Sequence, residues 1–239
     1  MRAKTRGPLE SFKTDMDSLK TDTSSDSGRK ATAKGPRKRA QNLYGQAMGR
    51  KGSETRARLI RATVELLEKR SLRDMSVSDI ATLAGTSSPS FYIYFADVTA
   101  AALAAAEGVE QITPQIEALL NERWTAGEAQ GKAVALLEAY VDFSSHHHAI
   151  LRVRNLSADE GDKRFEEVRH RAVLRIHYLL ERKIASLGNG WEASPGASAV
   201  LALMERIAAI ARLPLRRHHS RKSLIAAAAF LIATAMTSR

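Results

Sequence analysis

The sequence predicts an all-α fold, and three features predict it. Apolar residues recur at three- and four-residue spacing from Thr55 almost to the end of the chain. No stretch alternates apolar and polar residues with the period of two that marks a strand. Helix start and stop residues punctuate the pattern at intervals of helix length. Hydrophobic residues make up 44% of the 239, enough to bury a core. The absence of cysteine excludes disulfides and thiolate metal sites. No apolar run approaches the roughly 18–20 residues that cross a bilayer. The polar N-terminus lacks the apolar core of a signal peptide, so the expected compartment is cytoplasmic, with no membrane partner.

Residues 1–52 show no sustained apolar period and read as a disordered basic arm. Of the formal net charge of +11, this arm holds +8, from 13 Lys/Arg against 5 Asp/Glu, which leaves +3 for the other 187 residues. Between positions 29 and 51 stand eight basic residues and no acid. Such a run attracts polyanions by releasing their counterions.

The first helix is expected over 54–70, where Leu59, Ala62, Thr63, Leu66 and Leu67 share a face and Ser53 offers a cap. Ser76 and Asp79, three apart, form a capping pair for a short second helix that ends at Gly85. Ser87 or Ser88 can cap a third, with Pro89 near its first position, and Asp97 can cap a fourth. Thr113-Pro114 kinks that helix or starts another. Further amphipathic segments are expected over 132–145, 162–187, 197–212 and 220–236, with Gly188-Asn189-Gly190 ending the second of these.

Two short helices joined by a glycine-containing turn make a helix-turn-helix, whose second helix enters the major groove of DNA. Phe91 and Phe95, four apart, share a face that can lie against Leu59, Leu66 and Ile80. Tyr92 and Tyr94 then point elsewhere, with hydroxyls for phosphates or base edges. The third helix lacks Arg, Lys, Asn and Gln, the side chains that read G and A edges bidentately. Its base reading has to rest on serine hydroxyls, thymine methyls and groove shape.

Residues 55–60, Val77-Ser78-Asp79-Ile80-Ala81, and above all Ala84-Gly85-Thr86-Ser87 followed by Phe91-Tyr92 and Tyr94-Phe95, resemble the N-terminal domain of TetR-family regulators. The resemblance covers about fifty residues, 53–103. It implies a three-helix DNA-binding domain with a helix-turn-helix (53–100), followed by a larger helical ligand-binding and dimerisation domain (101–239). It implies a homodimer on double-stranded operator DNA, a repressor released by a small-molecule ligand. By position, Ser76 and Thr86 correspond to phosphate contacts. Ser87, Ser88, Pro89, Ser90 and Tyr92 correspond to the DNA-facing side, with Tyr94 near its end. Two features depart from the family pattern. Lys69-Arg70-Ser71-Leu72 holds no glycine between the first two helices, and Ala96-Asp97-Val98-Thr99 lacks the usual lysine after the last aromatic. A nonspecific, nucleoid-type DNA binder driven by the arm is the alternative function.

Trp124, Tyr140, Phe143, Phe165, Ile176 and Tyr178 are candidates to line a ligand cavity or to fill the core. The last two helices carry apolar stripes, including Leu203 and Leu231, that fit an isologous four-helix dimer interface. His146-His147-His148 is not expected to bind metal, because consecutive helical residues point about a hundred degrees apart. No catalytic motif is present and no cofactor is implied, so the chain does not read as an enzyme.

Overall fold

The computed structural model describes residues 42–109, 113–188, 190–213 and 220–237. The greater part of the basic arm, up to residue 41, and Asn189 lie outside the described residues. Among the described residues the chain forms ten α-helices and no strand.

Helix α1 (Arg50–Leu67) starts four residues before the expected position, with Gly49 as a cap that offers no side chain. Ser53 therefore lies inside the helix. The extra turn is held by the Thr55 hydroxyl, which donates to the Lys51 carbonyl at 3.0 Å, and by Arg50 beside Glu54 at 3.6 Å. A 3-10 turn at Leu72–Asp74 leads to α2 (Val77–Leu83) and α3 (Ser88–Tyr94). Helix α4 (Val98–Glu107) is capped by Asp97, whose carboxylate accepts from the Ala100 amide at 2.7 Å. Thr113-Pro114 starts α5 (Pro114–Asn121) rather than kinking α4.

Helix α6 (Ala129–His146) stops at His147, and α7 (His148–Asp159) begins at once, a break that no glycine or proline announces. Asp162 caps α8 (Lys163–Ala185), and Gly188 turns out of it with φ of 60°. Helix α9 (Ala193–Ala211) and α10 (Arg221–Ala235) close the chain, the latter with a Ser220–Ser223 capping box. By length and composition α9 could cross a bilayer. It nevertheless carries Glu205 and Arg206, and it packs against α6, α8 and α10 as a core helix does.

The buried apolar residues fall into two clusters. One joins α1, α2 and α3 to the alanines of α4, to one face of α7 and to Phe165 and Val168 of α8. The other joins α5, α6, α9 and α10 to the later half of α8, from Ile176 to Ile184. Helix α8 has 23 residues, about 35 Å at 1.5 Å per residue, which lets it serve both. Ala101, Ala102, Ala105 and Ala106 are all buried, and their small side chains let α4 approach its neighbours closely.

Candidate nucleic-acid interface

The helix-turn-helix is fixed by local chemistry. The Ser76 hydroxyl accepts from the Asp79 amide at 3.1 Å, and Asp79 Oδ2 accepts from the Ser76 amide at 3.0 Å, closing the capping box. The Ser76 hydroxyl also donates to Asp79 Oδ2 at 2.8 Å, so its proton is already engaged. That bond, with Arg70 3.2 Å away, holds the Asp79 carboxyl below the usual carboxylate range. Gly85 sits at φ of 64°, a left-handed conformation that costs a residue with a Cβ about 1–2 kcal/mol. The reversal lets the Thr86 amide bond the Ala81 carbonyl at 2.9 Å. The Ser87 hydroxyl, of the two candidates, caps α3 by accepting from the Ser90 amide at 3.4 Å.

Packing then orients α3. Phe91 and Phe95 are 0% and 3% exposed, with ring centroids 5.6 Å apart, in the same cluster as Leu59, Leu66 and Ile80. Facing solvent are Ser87, Pro89 and Tyr92, the last 48% exposed. Thr86, Ser88 and Ser90 are half-buried. Tyr94 packs against the core, with its hydroxyl 3.6 Å from where a Cβ on Gly52 would stand. Sequence reasoning missed Ile93 (37% exposed) on this face and Leu83 (43%) at the end of α2. Their signal was an apolar residue out of register with the core stripe.

Two contacts supply what the sequence lacks locally. The Arg56 guanidinium lies 5.2 Å from the Phe95 ring centroid, so a cation stands beside the last aromatic although 96–99 holds none. The Leu43 amide donates to the Ile93 carbonyl at 3.1 Å, tying the segment ahead of α1 to α3. The arm's attachment point is thus next to α3.

The six cavity candidates divide. Tyr140, Phe143 and Ile176 line one hollow between α6, α7, α8 and α9, together with Leu151, Arg154 and Glu205. Trp124 lies elsewhere, in a hollow at the end of α5, where its indole donates to the Leu119 carbonyl at 2.9 Å. Its ring faces the Lys183 ammonium at 4.7 Å. Phe165 is wholly buried in the cluster beneath α4, and Tyr178 is half-buried on α8 without lining the hollow. Of the three histidines, His146 and His147 stack edge to face at 4.7 Å, while His148 Nε2 meets Glu68 at 3.1 Å.

Two family models match the chain. Residues 59–105 match the model described as bacterial regulatory proteins, tetR family. Residues 116–222 match the tetracyclin repressor-like C-terminal domain. Comparison with curated proteins gives no match. Among solved structures, a tetR-family transcriptional regulator from Streptomyces coelicolor superposes with a TM-score of 0.61 at 18% identity, over 79% of this chain and 82% of that one. The fatty acid degradation regulator FadR from Bacillus halodurans gives 0.58 at 15%, over 79% and 97%. FadR from Bacillus subtilis in complex with stearoyl-CoA gives 0.58 at 16%, over 75% and 98%. At these identities the structures support the fold alone, but the two matched models cover both its halves in order. The chain belongs to the tetR family of bacterial transcriptional regulators.

Proposed function

We propose that the chain is a cytoplasmic homodimer that binds operator DNA through α3 and releases it when a small molecule occupies the helical domain. One observation carries the reading. Phe91 and Phe95 lock one side of α3 inward, leaving Ser87, Pro89, Tyr92 and Ile93 as an outward face without charge. Such a face reads DNA by hydroxyls and by apolar contact with thymine methyls, and the cations beside it supply phosphate attraction. Ser76 and Thr86 stand at the starts of α2 and α3, where backbone amides meet phosphates.

The dimer reading is supported by an apolar surface on the last two helices. Phe230 and Leu231 are 65% and 58% exposed, beside exposed Ala226 and Ala227, and Ala199 and Ala202 are exposed on neighbouring α9. A two-fold mate laid on this surface gives the isologous four-helix arrangement. The ligand reading is supported by the hollow at Tyr140, Phe143 and Ile176. That a neighbour of this fold was solved with stearoyl-CoA is consistent with a small-molecule effector here.

The test is selection of genomic fragments on the purified protein, followed by specific and nonspecific affinities at physiological salt. A regulator enriches few sites and binds them at least 1,000-fold tighter than random DNA, roughly the lower bound for specific recognition. A ratio near one refutes the operator reading and favours a nucleoid-type binder held by the basic arm.

A further inference from the structure

Two hollows meet at α7, and together they give the ligand site a polarity. The inner one has apolar walls from Phe143, Leu151, Val173, Ile176 and Leu201. The outer one is lined by Ser144, His148, Arg152, Asn155 and Arg212, of which Arg152, Asn155 and Arg212 are exposed. Tyr140, Leu151, Arg154 and Glu205 belong to both, so the hollows form one channel with a polar neck. The inner hollow has a cavity volume of about 50 Å³ and the outer one about 210 Å³.

The neck and mouth are electrically one-sided. Arg152, Arg154 and Arg212 face a single carboxylate, Glu205. Arg154 is 8% exposed and already donates to Asn155 Oδ1 at 3.1 Å. Desolvation on its channel side pushes the Glu205 carboxyl up, against the pull of Arg154 and Arg169. Burial also pushes the Tyr140 phenol up, with Glu205 adding to the effect, so the phenol stays a hydrogen-bond donor throughout the neutral range. Donors and positive charge therefore converge where the apolar lining ends.

We propose that this channel binds an anionic amphiphile, its acidic head group held at Arg154 and the arginines of the mouth and its apolar tail in the inner hollow. An uncharged apolar molecule would meet none of the positive charge of the mouth. A wholly polar anion would leave the inner walls unfilled. The shared chemistry is an apolar chain ending in negative charge, whether a free carboxylate or a phosphorylated carrier. The proposal rests on the reading of the helical domain as ligand-binding and goes further by naming the class.

The experiment is calorimetric titration of the full chain, without DNA, by four probes: dodecanoate, dodecanoyl-coenzyme A, dodecanol and dodecyltrimethylammonium. At least one anionic probe should bind tenfold or more tightly than dodecanol, and the cationic probe should bind weakest. Tighter dodecanoate identifies the free carboxylate as the source, and tighter thioester identifies the phosphorylated carrier. Arg154→Met should weaken the anionic probe at least tenfold and leave dodecanol unchanged, with Arg154→Lys recovering part of the loss. Should Arg154→Met fail to fold, Arg212→Ala on the exposed rim should still weaken the anionic probe, most for the thioester. Equal binding of dodecanol and dodecanoate, or no amphiphile binding at all, overturns the proposal. Enriched genomic fragments with no amphiphile binding would sink this inference alone, and the converse would sink only the DNA reading.

Discussion

Replacing Phe91 by alanine tests how α3 is set in the domain. The side chain is fully buried, with the Phe95 and Tyr92 rings at centroid distances of 5.6 and 5.7 Å. Aromatic side chains bury about 150–250 Å² each, and at about 25 cal/mol per Å² that is worth about 4–6 kcal/mol. Alanine keeps part of this burial but leaves a cavity, so the expected loss is about 3–5 kcal/mol. Against a total stability of roughly 5–15 kcal/mol, this is a large fraction. The urea midpoint should fall with little change in slope. Tyr92→Phe keeps a ring that is 48% exposed and removes one hydroxyl, so its stability change should stay within about 0.5 kcal/mol. If that hydroxyl meets a phosphate, DNA affinity drops by about 1 kcal/mol, roughly fivefold, equally for every sequence. Ser90→Ala should instead shift the preferred sequence if its half-buried hydroxyl reaches a base edge. A Phe91→Ala protein as stable as the parent, paired with an unfolded Tyr92→Phe, would show α3 rotated from the orientation argued above.

Removing residues 1–41, a cut that spares α1, should leave the fold intact and weaken DNA binding. Its salt slope should flatten by about one unit for each phosphate the arm neutralises, and an unchanged slope would make the arm a bystander. Leu231→Glu should give monomers by light scattering, because the residue is 58% exposed in one chain yet desolvated in the proposed dimer. Leu203 is a less clean test, since it also packs on its own core, and a folded dimeric Leu231→Glu would move the interface elsewhere. Burial, with Lys132 nearby and Glu122 opposing, pulls the Lys183 amine down to about 8 from its ordinary 10.5. Between those values the unfolded chain holds the proton more tightly, so stability relative to Lys183→Met should rise with pH across that window. Urea midpoints of both proteins at pH 7.5 and 10 check this, and a constant difference contradicts it.

Local chemistry was legible in the sequence and long-range chemistry was not. Ser76 with Asp79, Ser87 and Asp97 cap helices as expected, because a cap needs only a hydroxyl or carboxylate three residues from an orphan amide. The start of α1 escaped because Gly49 offers no such group. Helix α7 escaped because neither glycine nor proline marks its start at His147. Periodicity identifies which residues face inward, but not which interior they face. Phe165 and Ile176 lie eleven residues apart on the continuous stripe of α8 and yet belong to different clusters. The channel was partly visible in Tyr140, Phe143 and Ile176. Its polar half comes from α7 and the far end of α9, and no spacing rule links Arg154 to Glu205 or Arg212.

Helix α7 is the element through which a molecule in the channel would act on DNA affinity, and magnitudes decide by which of its contacts. Leu151 and Arg154 face the channel, while Ala149, Ile150 and Val153 belong to the apolar cluster of the helix-turn-helix. Polar links also run from this region to the DNA-binding domain. His148 meets Glu68 at 3.1 Å, Arg152 donates to the Leu67 carbonyl at 3.4 Å, and Arg73 pairs with Glu160 at 2.6 Å. A hundredfold loss of DNA affinity requires about 2.8 kcal/mol of differential binding between two conformations. Exposed ion pairs contribute about 0–1 kcal/mol each, and Arg73 and Glu160 are 80% and 50% exposed. These links orient α7, and each taken singly falls short of that difference. Ile150 and Val153 are 1% and 5% exposed, and burial of such side chains is worth about 1.5–3 kcal/mol each. A shift of that apolar face against α1 and α4 is the larger single contribution, so the proposed release is expected to come from repacking of the shared cluster, with Arg154 on the same helix.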